Sequence, residues 1–199
     1  RHARGLILDV EGNVIAIPFK KFFNINEHEE TLFANIPTEI PEISEKLDGS
    51  MGIGFLGSDN RYYISTRGSF DSEQSKVATE IINKNYPNIE NRINRNYTYL
   101  FEIIYPENAI VVNYKNIRDL YLIGMVDNRN GVDHSYSLVQ KEGKRLGFHT
   151  PKLYANKTLD NIMEIARDPN LNNIEGWVLR YPNGLRIKVK TDNSLRDML

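Results

Sequence analysis

GWVLRYPNGLRIKVK, residues 176–190, is the stretch from which the architecture can be built. Two runs of β-branched, aromatic and aliphatic residues flank Asn183-Gly184, and Asn-Gly between such runs is a strong short-range signal for a β-hairpin. A two-residue type I′ loop then sets a register by counting. Val178 faces Val189, Arg180 faces Ile187, Leu179 faces Lys188 and Trp177 faces Lys190. Side chains alternate across a sheet, so this register predicts one face with Val178, Ile187 and Val189. The other face carries Glu175, Trp177, Leu179, Lys188 and Lys190. Two lysines so close on one strand repel unless an anion or a carboxylate sits between them. The face is therefore either a solvated surface or a place where an anion binds.

Working outward, two more hairpins are expected, in residues 5–19 (GLILDVEGNVIAIPF) and 51–68 (MGIGFLGSDNRYYISTRG). YTYLFEIIY, AIVVNY and LYLIGMV are short aromatic and β-branched runs broken by Pro, Asn and Asp, and each reads as a strand. Helices interrupt them. The clearest is SEQSKVATEIINKNY, with Val77, Ala78, Ile81 and Ile82 on one face and Ser72 or Asp71 as its cap. Ser135 to Leu146 and a segment from Thr158 (TLDNIMEIARD) are two others. With no repeat and no low-complexity linker, the pattern predicts one α+β domain over residues 1–199, antiparallel sheets flanked by helices.

The 199 residues have the apolar and charged fractions of a globular protein, with a formal net charge of −1. Any binding of nucleic acid must then come from a local cluster of Lys and Arg. The chain has no cysteine, which excludes a disulfide framework, a thiolate nucleophile and cysteine-containing zinc sites. The histidines His2, His28, His134 and His149 lack ligand spacing and are expected at the surface or in satisfied core positions. No apolar run approaches the roughly 20 residues that cross a bilayer, and no signal-peptide pattern opens the chain. These features fit an intracellular setting without a membrane partner. The opening on Arg1 suggests a piece of a longer protein.

Chemistry-bearing residues lie elsewhere in the pattern. EKLDG places Lys46 and Asp48-Gly49 at the mouth of a strand; the turn reading is structural, and the chemical reading makes Lys46 a nucleophile. Glu102 lies inside YLFEIIY, where a strand buried on both faces would demand a partner for its carboxylate. Arg67 closes the second hairpin. In the first hairpin, a Gly12-Asn13 loop would set Arg4 opposite Lys21, a further pair of like charges that a polyanion would relieve.

Taken together, these residues resemble the nucleotidyltransferase domain of the covalent lysyl-adenylate superfamily, which holds polynucleotide ligases and messenger-RNA capping enzymes. The phage-type ATP-dependent RNA ligases that repair broken tRNA are the most similar group. The resemblance runs from ARG (Arg4) and KFFN (Lys21 to Asn24) through EKLDG, TRG (Arg67) and FE (Glu102) to EGWVLR and KVK. Glu175 is followed thirteen residues later by Lys188. It implies that Lys46 attacks the α-phosphate of ATP to form a lysine-AMP phosphoramidate. Lys188 and Lys190 would hold the α-phosphate, and Glu102 would bond the ribose. Glu175 would position the nucleotide or a hydrated metal, Mg²⁺ or Mn²⁺, with Glu102 as a second metal contact through water. Arg4 and Lys21 would contact the β- and γ-phosphates. Phe23 would line the nucleotide site, as would Gly49 beside the nucleophile, and Glu45 would read the adenine amino group. At Arg67 some relatives carry lysine, which keeps the charge and changes the geometry.

Physical chemistry gives these roles a reason. A free lysine with a pKa near 10.4 is neutral in only about one molecule in a thousand near pH 7.4. An amine nucleophile must be activated, and neighbouring cations, Lys188, Lys190 and the metal among them, disfavour its ammonium form. The same charges stabilise phosphate oxygens as bonds rearrange. The expected activity is RNA ligation, with AMP passed from Lys46 to an RNA 5′-phosphate and a 3′-hydroxyl then joined to it. The alternatives are a GTP-dependent capping guanylyltransferase, a DNA ligase, or a non-catalytic module binding nucleotide or RNA. Capping enzymes and DNA ligases carry an OB domain after the last lysine motif, and nine residues follow Lys190 here.

Overall fold

The protein is described by a computed structural model that covers residues 4–191. His2 and Ala3, from the histidine set and the ARG motif, lie outside the described residues. The chain folds into two compact units. Among the described residues, the first takes 4–20, 49–108 and 114–150, and the second takes 21–48, 109–113 and 151–191.

The first unit is built on a four-stranded antiparallel sheet. A short ladder of β1 (Ile7–Leu8) and β2 (Val14–Ala16) precedes it. The second predicted hairpin forms as β5 (Ser50–Leu56) and β6 (Tyr62–Ser65); β7 (Tyr97–Ile104) and β8 (Asp119–Asp127) complete the order β6-β5-β7-β8. Helix α1 (Glu73–Asn85) starts where Ser72 accepts the Ser75 N–H, which settles the choice of cap. Helix α2 (Tyr136–Leu146) starts at Ser135 and ends on Gly147 at φ 85°, a left-handed cap that glycine reaches without strain. Ile81 and Ile82 of α1 and Val139 and Leu146 of α2 share a core with Tyr99, Phe101, Ile103, Leu120 and Leu122. Each fully buried side chain of this kind contributes roughly 1.5–3 kcal/mol.

The second unit holds a smaller sheet in the order β3-β10-β9-β4, made of β3 (Phe23–Asn24), β4 (Glu42–Lys46), β9 (Gly176–Arg180) and β10 (Arg186–Lys190). The pairs β4/β9 and β9/β10 are antiparallel, and β3 adds to the edge in parallel. Helix α3 (Leu159–Ala166) begins at a reciprocal cap between Thr158 and Asn161. Its Ile162 and Ala166 pack into a core with Ile43, Trp177, Leu179, Tyr181, Ile187 and Val189.

The β9/β10 register differs from the expected one by one residue. Trp177 faces Val189, Val178 faces Lys188, Leu179 faces Ile187 and Gly176 faces Lys190. Trp177 and Leu179 consequently belong to the core, while Val178 takes the lysine face. The reason is Pro182. Its fixed φ suits the second position of a type I turn, so the loop runs over Pro182, Asn183 and Gly184, with the Gly184 N–H bonded to Tyr181 O at 2.8 Å. Gly184 follows at φ 88°, whereas Asn183 keeps a negative φ, which excludes the type I′ turn.

Two other expectations are corrected. Arg4 and Lys21 are not opposed, because the β1/β2 ladder stops at Ile7 and Ala16 and Lys21 leads instead into β3. The Asp9 carboxylate accepts the N–H groups of Glu11 and Asn13 and shapes a longer turn with Gly12 at φ 87°. AIVVNY (109–114) is not a strand; the N–H groups of Ile110, Val111 and Val112 all point at the carboxylate of Asp48. No helix among the described residues is long and apolar enough to cross a membrane.

Candidate active site

The charged face of the smaller sheet is organised by its register. Lys46 on β4, Gly176 on β9 and Lys190 on β10 stand directly opposite one another across three adjacent strands. Opposed residues share a face, so Lys46 and Lys190 rise on the same side, and Gly176 puts no side chain between them. No other residue fits there: a Cβ on Gly176, at φ 154°, would lie 2.2 Å from the Val189 carbonyl oxygen. The next row on this face is Ser44, Val178, Lys188 and Asn24, and the third is Glu42, Arg180 and Arg186. Arg180 pairs with Glu42 at 3.2 Å.

Glu175 comes immediately before β9 and is buried. Its Oε1 accepts a hydrogen bond from the Lys46 Nζ at 2.7 Å, and its Oε2 is buried with no hydrogen-bond partner among the described residues. A buried carboxylate oxygen left open costs free energy unless a ligand completes it, which makes it a position of chemical interest. The sequence placed this carboxylate on the lysine side, where it is found, and expected cations as the neighbours of the amine. The contact observed for Lys46 is a carboxylate.

Lys46 is also fixed from behind. Asp48, two residues on, is buried, and its Oδ2 accepts the N–H of Ile110 at 2.8 Å, that of Val112 at 2.7 Å and that of Val111 between them. Sequence reasoning treated Asp48 only as a turn former. Nothing local distinguishes it, because the N–H groups it collects lie more than sixty residues away and read as a strand.

The remaining predicted residues of this unit divide between the faces of the sheet. Glu45 lies opposite Trp177, on the other side from Lys46. Burial raises its carboxyl above the ordinary value, against a bond from the Lys152 backbone that lowers it. Phe23 pairs with Ile187 on the core side, stacks on His28 with centroids 4.3 Å apart, and carries the Lys21 ammonium 5.1 Å above its ring. Lys188 stands on the charged face with its Nζ 5.1 Å from the centre of the Phe22 ring. Glu27 is held below the ordinary carboxylate range, first by the Asn24 N–H and further by the fields of Lys188 and Lys21.

The first unit holds the others. Glu102 is on β7, an interior strand, and its Oε1 accepts the Gly49 N–H at 3.0 Å. That answers the question of its partner. A Cβ on Gly49 would sit 2.3 Å from the Ile103 carbonyl oxygen, so the backbone approach there requires glycine. Arg67 donates to Phe19 O at 3.4 Å; burial lowers its guanidinium pKa, with Arg4 adding to the effect. Arg4 itself is exposed. No group of three or more His, Asp or Glu capable of holding a metal is present among the described residues.

One face of the smaller sheet thus carries Lys46, bonded to the Glu175 carboxylate, together with Lys188 and Lys190. The family model described as RNA ligase matches residues 2–194. The chain belongs to the RNA ligase family. A protein of Thermovibrio ammonificans named "Putative RNA ligase" is 29% identical over 203 residues, covering 96% of this chain and 51% of its own length. Among solved structures, a mutant of Naegleria gruberi RNA ligase with ATP and Mn superposes at a TM-score of 0.63 with 20% identity, over 78% of this chain and 50% of that one. The structure titled "Putative ATP-dependent DNA ligase from Aquifex aeolicus" superposes at 0.73 with 20% identity, over 96% of this chain and 54% of that one. At such identities the superpositions show a shared fold. The chain of this RNA ligase family member spans about half the length of these relatives.

Proposed function

We propose that this chain is the nucleotidyltransferase part of an ATP-dependent RNA ligase and that Lys46 is its nucleophile. The observation that carries the reading is the Lys46 amine at 2.7 Å from Glu175, in register across Gly176 with Lys190. In the first step the amine attacks the α-phosphorus of ATP. A P–N bond forms, the bond to pyrophosphate breaks, and the nitrogen keeps one hydrogen in the phosphoramidate; of the two protons it loses from the ammonium form, one goes to solvent and the other has Glu175 as its adjacent acceptor. In the second, an oxygen of an RNA 5′-phosphate attacks the same phosphorus and the P–N bond breaks, leaving the RNA end capped with AMP. In the third, an RNA 3′-hydroxyl attacks the capped phosphate and AMP leaves.

Lys188 and Lys190 neutralise the α-phosphate oxygens, where positioning and charge provide most of the catalysis. A divalent cation, Mg²⁺ or Mn²⁺, would further polarise the phosphate. The buried Oε2 of Glu175 suits such a hard cation, directly or through water. The structure of a Naegleria gruberi RNA ligase mutant with ATP and Mn supports the same pairing here. Contact of Glu102 with ribose or metal, of Gly49 with the nucleotide, and of Arg4, Lys21 and Arg67 with phosphates follows from the family resemblance. Phe23 and Glu45 carry that assignment more weakly, since both lie on the far side of the sheet from Lys46. An intracellular enzyme acting on RNA with 5′-phosphate and 3′-hydroxyl ends completes the reading.

The test is covalent labelling. Incubated with Mg²⁺ and ATP labelled at the α-phosphate, the chain is expected to retain label after denaturation, and Lys46→Ala to retain none. Label from GTP alone would point to a capping enzyme. Label from neither nucleotide would leave a binding module. Transfer to nicked DNA in preference to RNA would indicate a DNA ligase, whose fold is shared.

A further inference from the structure

We propose that Thr79 and Asn83 of α1 guard the outer edge of β6 against the addition of a strand from a second copy of this chain. Both residues belong to the first unit, and this role is separate from the reaction assigned above.

The order β6-β5-β7-β8 leaves β6 and β8 at the edges of the larger sheet. An edge strand presents a row of N–H and C=O groups on which another strand can form. β8 is covered by main chain: the Leu122 N–H bonds to His149 O at 2.8 Å, and the His134 N–H to Met125 O at 2.9 Å. β6 is covered by side chains instead. The Ile64 N–H bonds to Thr79 Oγ1 at 3.0 Å, and the same hydroxyl donates to Ile64 O at 3.4 Å. A hydroxyl has one hydrogen and two lone pairs, so Thr79 engages both backbone groups of Ile64, as a residue of a neighbouring strand would. Two residues back, the Tyr62 carbonyl leaves the strand on the same side. Asn83 Nδ2 donates to it at 3.4 Å and to Thr79 O at 2.7 Å.

Thr79 and Asn83 are four residues apart and therefore neighbours on one side of the helix. Ala78 and Ile82, beside them, are buried in the core that also holds Tyr62 and Ile64. α1 thus meets β6 with apolar side chains against its inner face and two polar ones at its rim. Threonine and asparagine are weak helix formers, so helix propensity does not account for them here. Their hydrogen bonds to β6 do. What the guard excludes is β6 itself. Tyr62-Tyr63-Ile64-Ser65 is aromatic and β-branched, a composition that favours strand pairing. Antiparallel pairing with the same strand of a second copy would use the same Tyr62 and Ile64 groups on both sides, as a two-fold contact requires.

The experiment combines sedimentation velocity over a range of protein concentrations with amide hydrogen exchange at Ile64. It compares the natural protein with Thr79→Val, which keeps the shape and removes the hydroxyl, with Asn83→Ala, and with both together; Tm checks folding. At low concentration Thr79→Val is expected to speed exchange of the Ile64 amide about tenfold. The double variant should self-associate about tenfold more tightly than the natural protein, and Asn83→Ala alone about threefold. Asn83 is exposed, so that single variant decides the matter if the removal of Thr79 prevents folding. Adding Tyr63→Lys, a charge on the edge strand facing away from the core, should abolish the gain. Association no tighter than that of the natural protein overturns the proposal. So does association that Tyr63→Lys leaves unchanged, or an Ile64 amide whose exchange Thr79→Val does not move.

Discussion

Lys46 and Lys188 rise from one face of one sheet, yet they are held by opposite kinds of chemistry. Lys46 meets the buried Glu175 carboxylate at 2.7 Å, and Lys188 lies over the Phe22 ring at 5.1 Å. The first arrangement fixes a nitrogen in place and gives its proton somewhere to go, which suits a group that must form a bond. The second sets an ammonium over an aromatic face, a contact that orients it. The difference teaches that two lysines on one sheet face can sit in unlike surroundings.

The comparison breaks most sharply at Glu175. Glu175→Ala removes the carboxylate bonded to Lys46, so labelling at saturating ATP should fall about 10²–10³-fold. Glu175→Gln, which keeps a hydrogen-bond acceptor without the charge, should fall between. Single-turnover labelling rates decide the matter, and a Glu175→Ala rate within about threefold of the natural one would show the ion pair to be ornamental to the chemistry.

A second effect separates the two lysines by their supports. Asp48 collects three N–H groups of residues 110–112 behind Lys46, whereas Lys188 is fixed by strand pairing. Asp48→Ala strands those donors and should cost on the order of 3 kcal/mol in urea unfolding, with Asp48→Asn recovering part. A loss below about 0.5 kcal/mol would mean that the segment finds other partners.

The smallest effect tests the two sides of β4. Glu45 sits one residue from Lys46 but on the core side, where burial raises its carboxyl pKa. A raised carboxyl means that the folded state holds the proton more tightly than the unfolded one. Stability therefore falls as pH rises past the ordinary value of 4.5 and levels off above the folded value. Glu45→Gln should match the natural protein near pH 4 and gain a small Tm advantage by pH 7, with labelling by ATP kept. Loss of ATP labelling without loss of Tm would instead place Glu45 at the nucleotide.

Much of the fold was legible because its signals are local. Ser72, Ser135 and Thr158 cap helices α1, α2 and α3 through bonds made within three residues, and the β5/β6 hairpin closes over a short turn. Glu102 was legible as a carboxylate in need of a partner, though not which partner. The β9/β10 register was missed by one residue because the Asn-Gly signal was weighed without the proline before it. AIVVNY was misread because β-branched composition reports a wish for burial and pairing, and here the pairing was supplied by a side chain.

The sequence by itself determined the inventory: a lysine in a turn at a strand mouth, an acidic residue ahead of a hairpin with two lysines, helices with their caps, and no cysteine. Only the tertiary structure decided which of these meet. The Lys46–Gly176–Lys190 row needs β4 and β9 to pair across more than a hundred residues, and the Phe22–Lys188 contact needs a parallel edge strand. The reason is physical. Propensity and capping act over one turn of chain, whereas strand order and register are chosen by the burial of one whole face, a sum over distant residues that no short stretch contains.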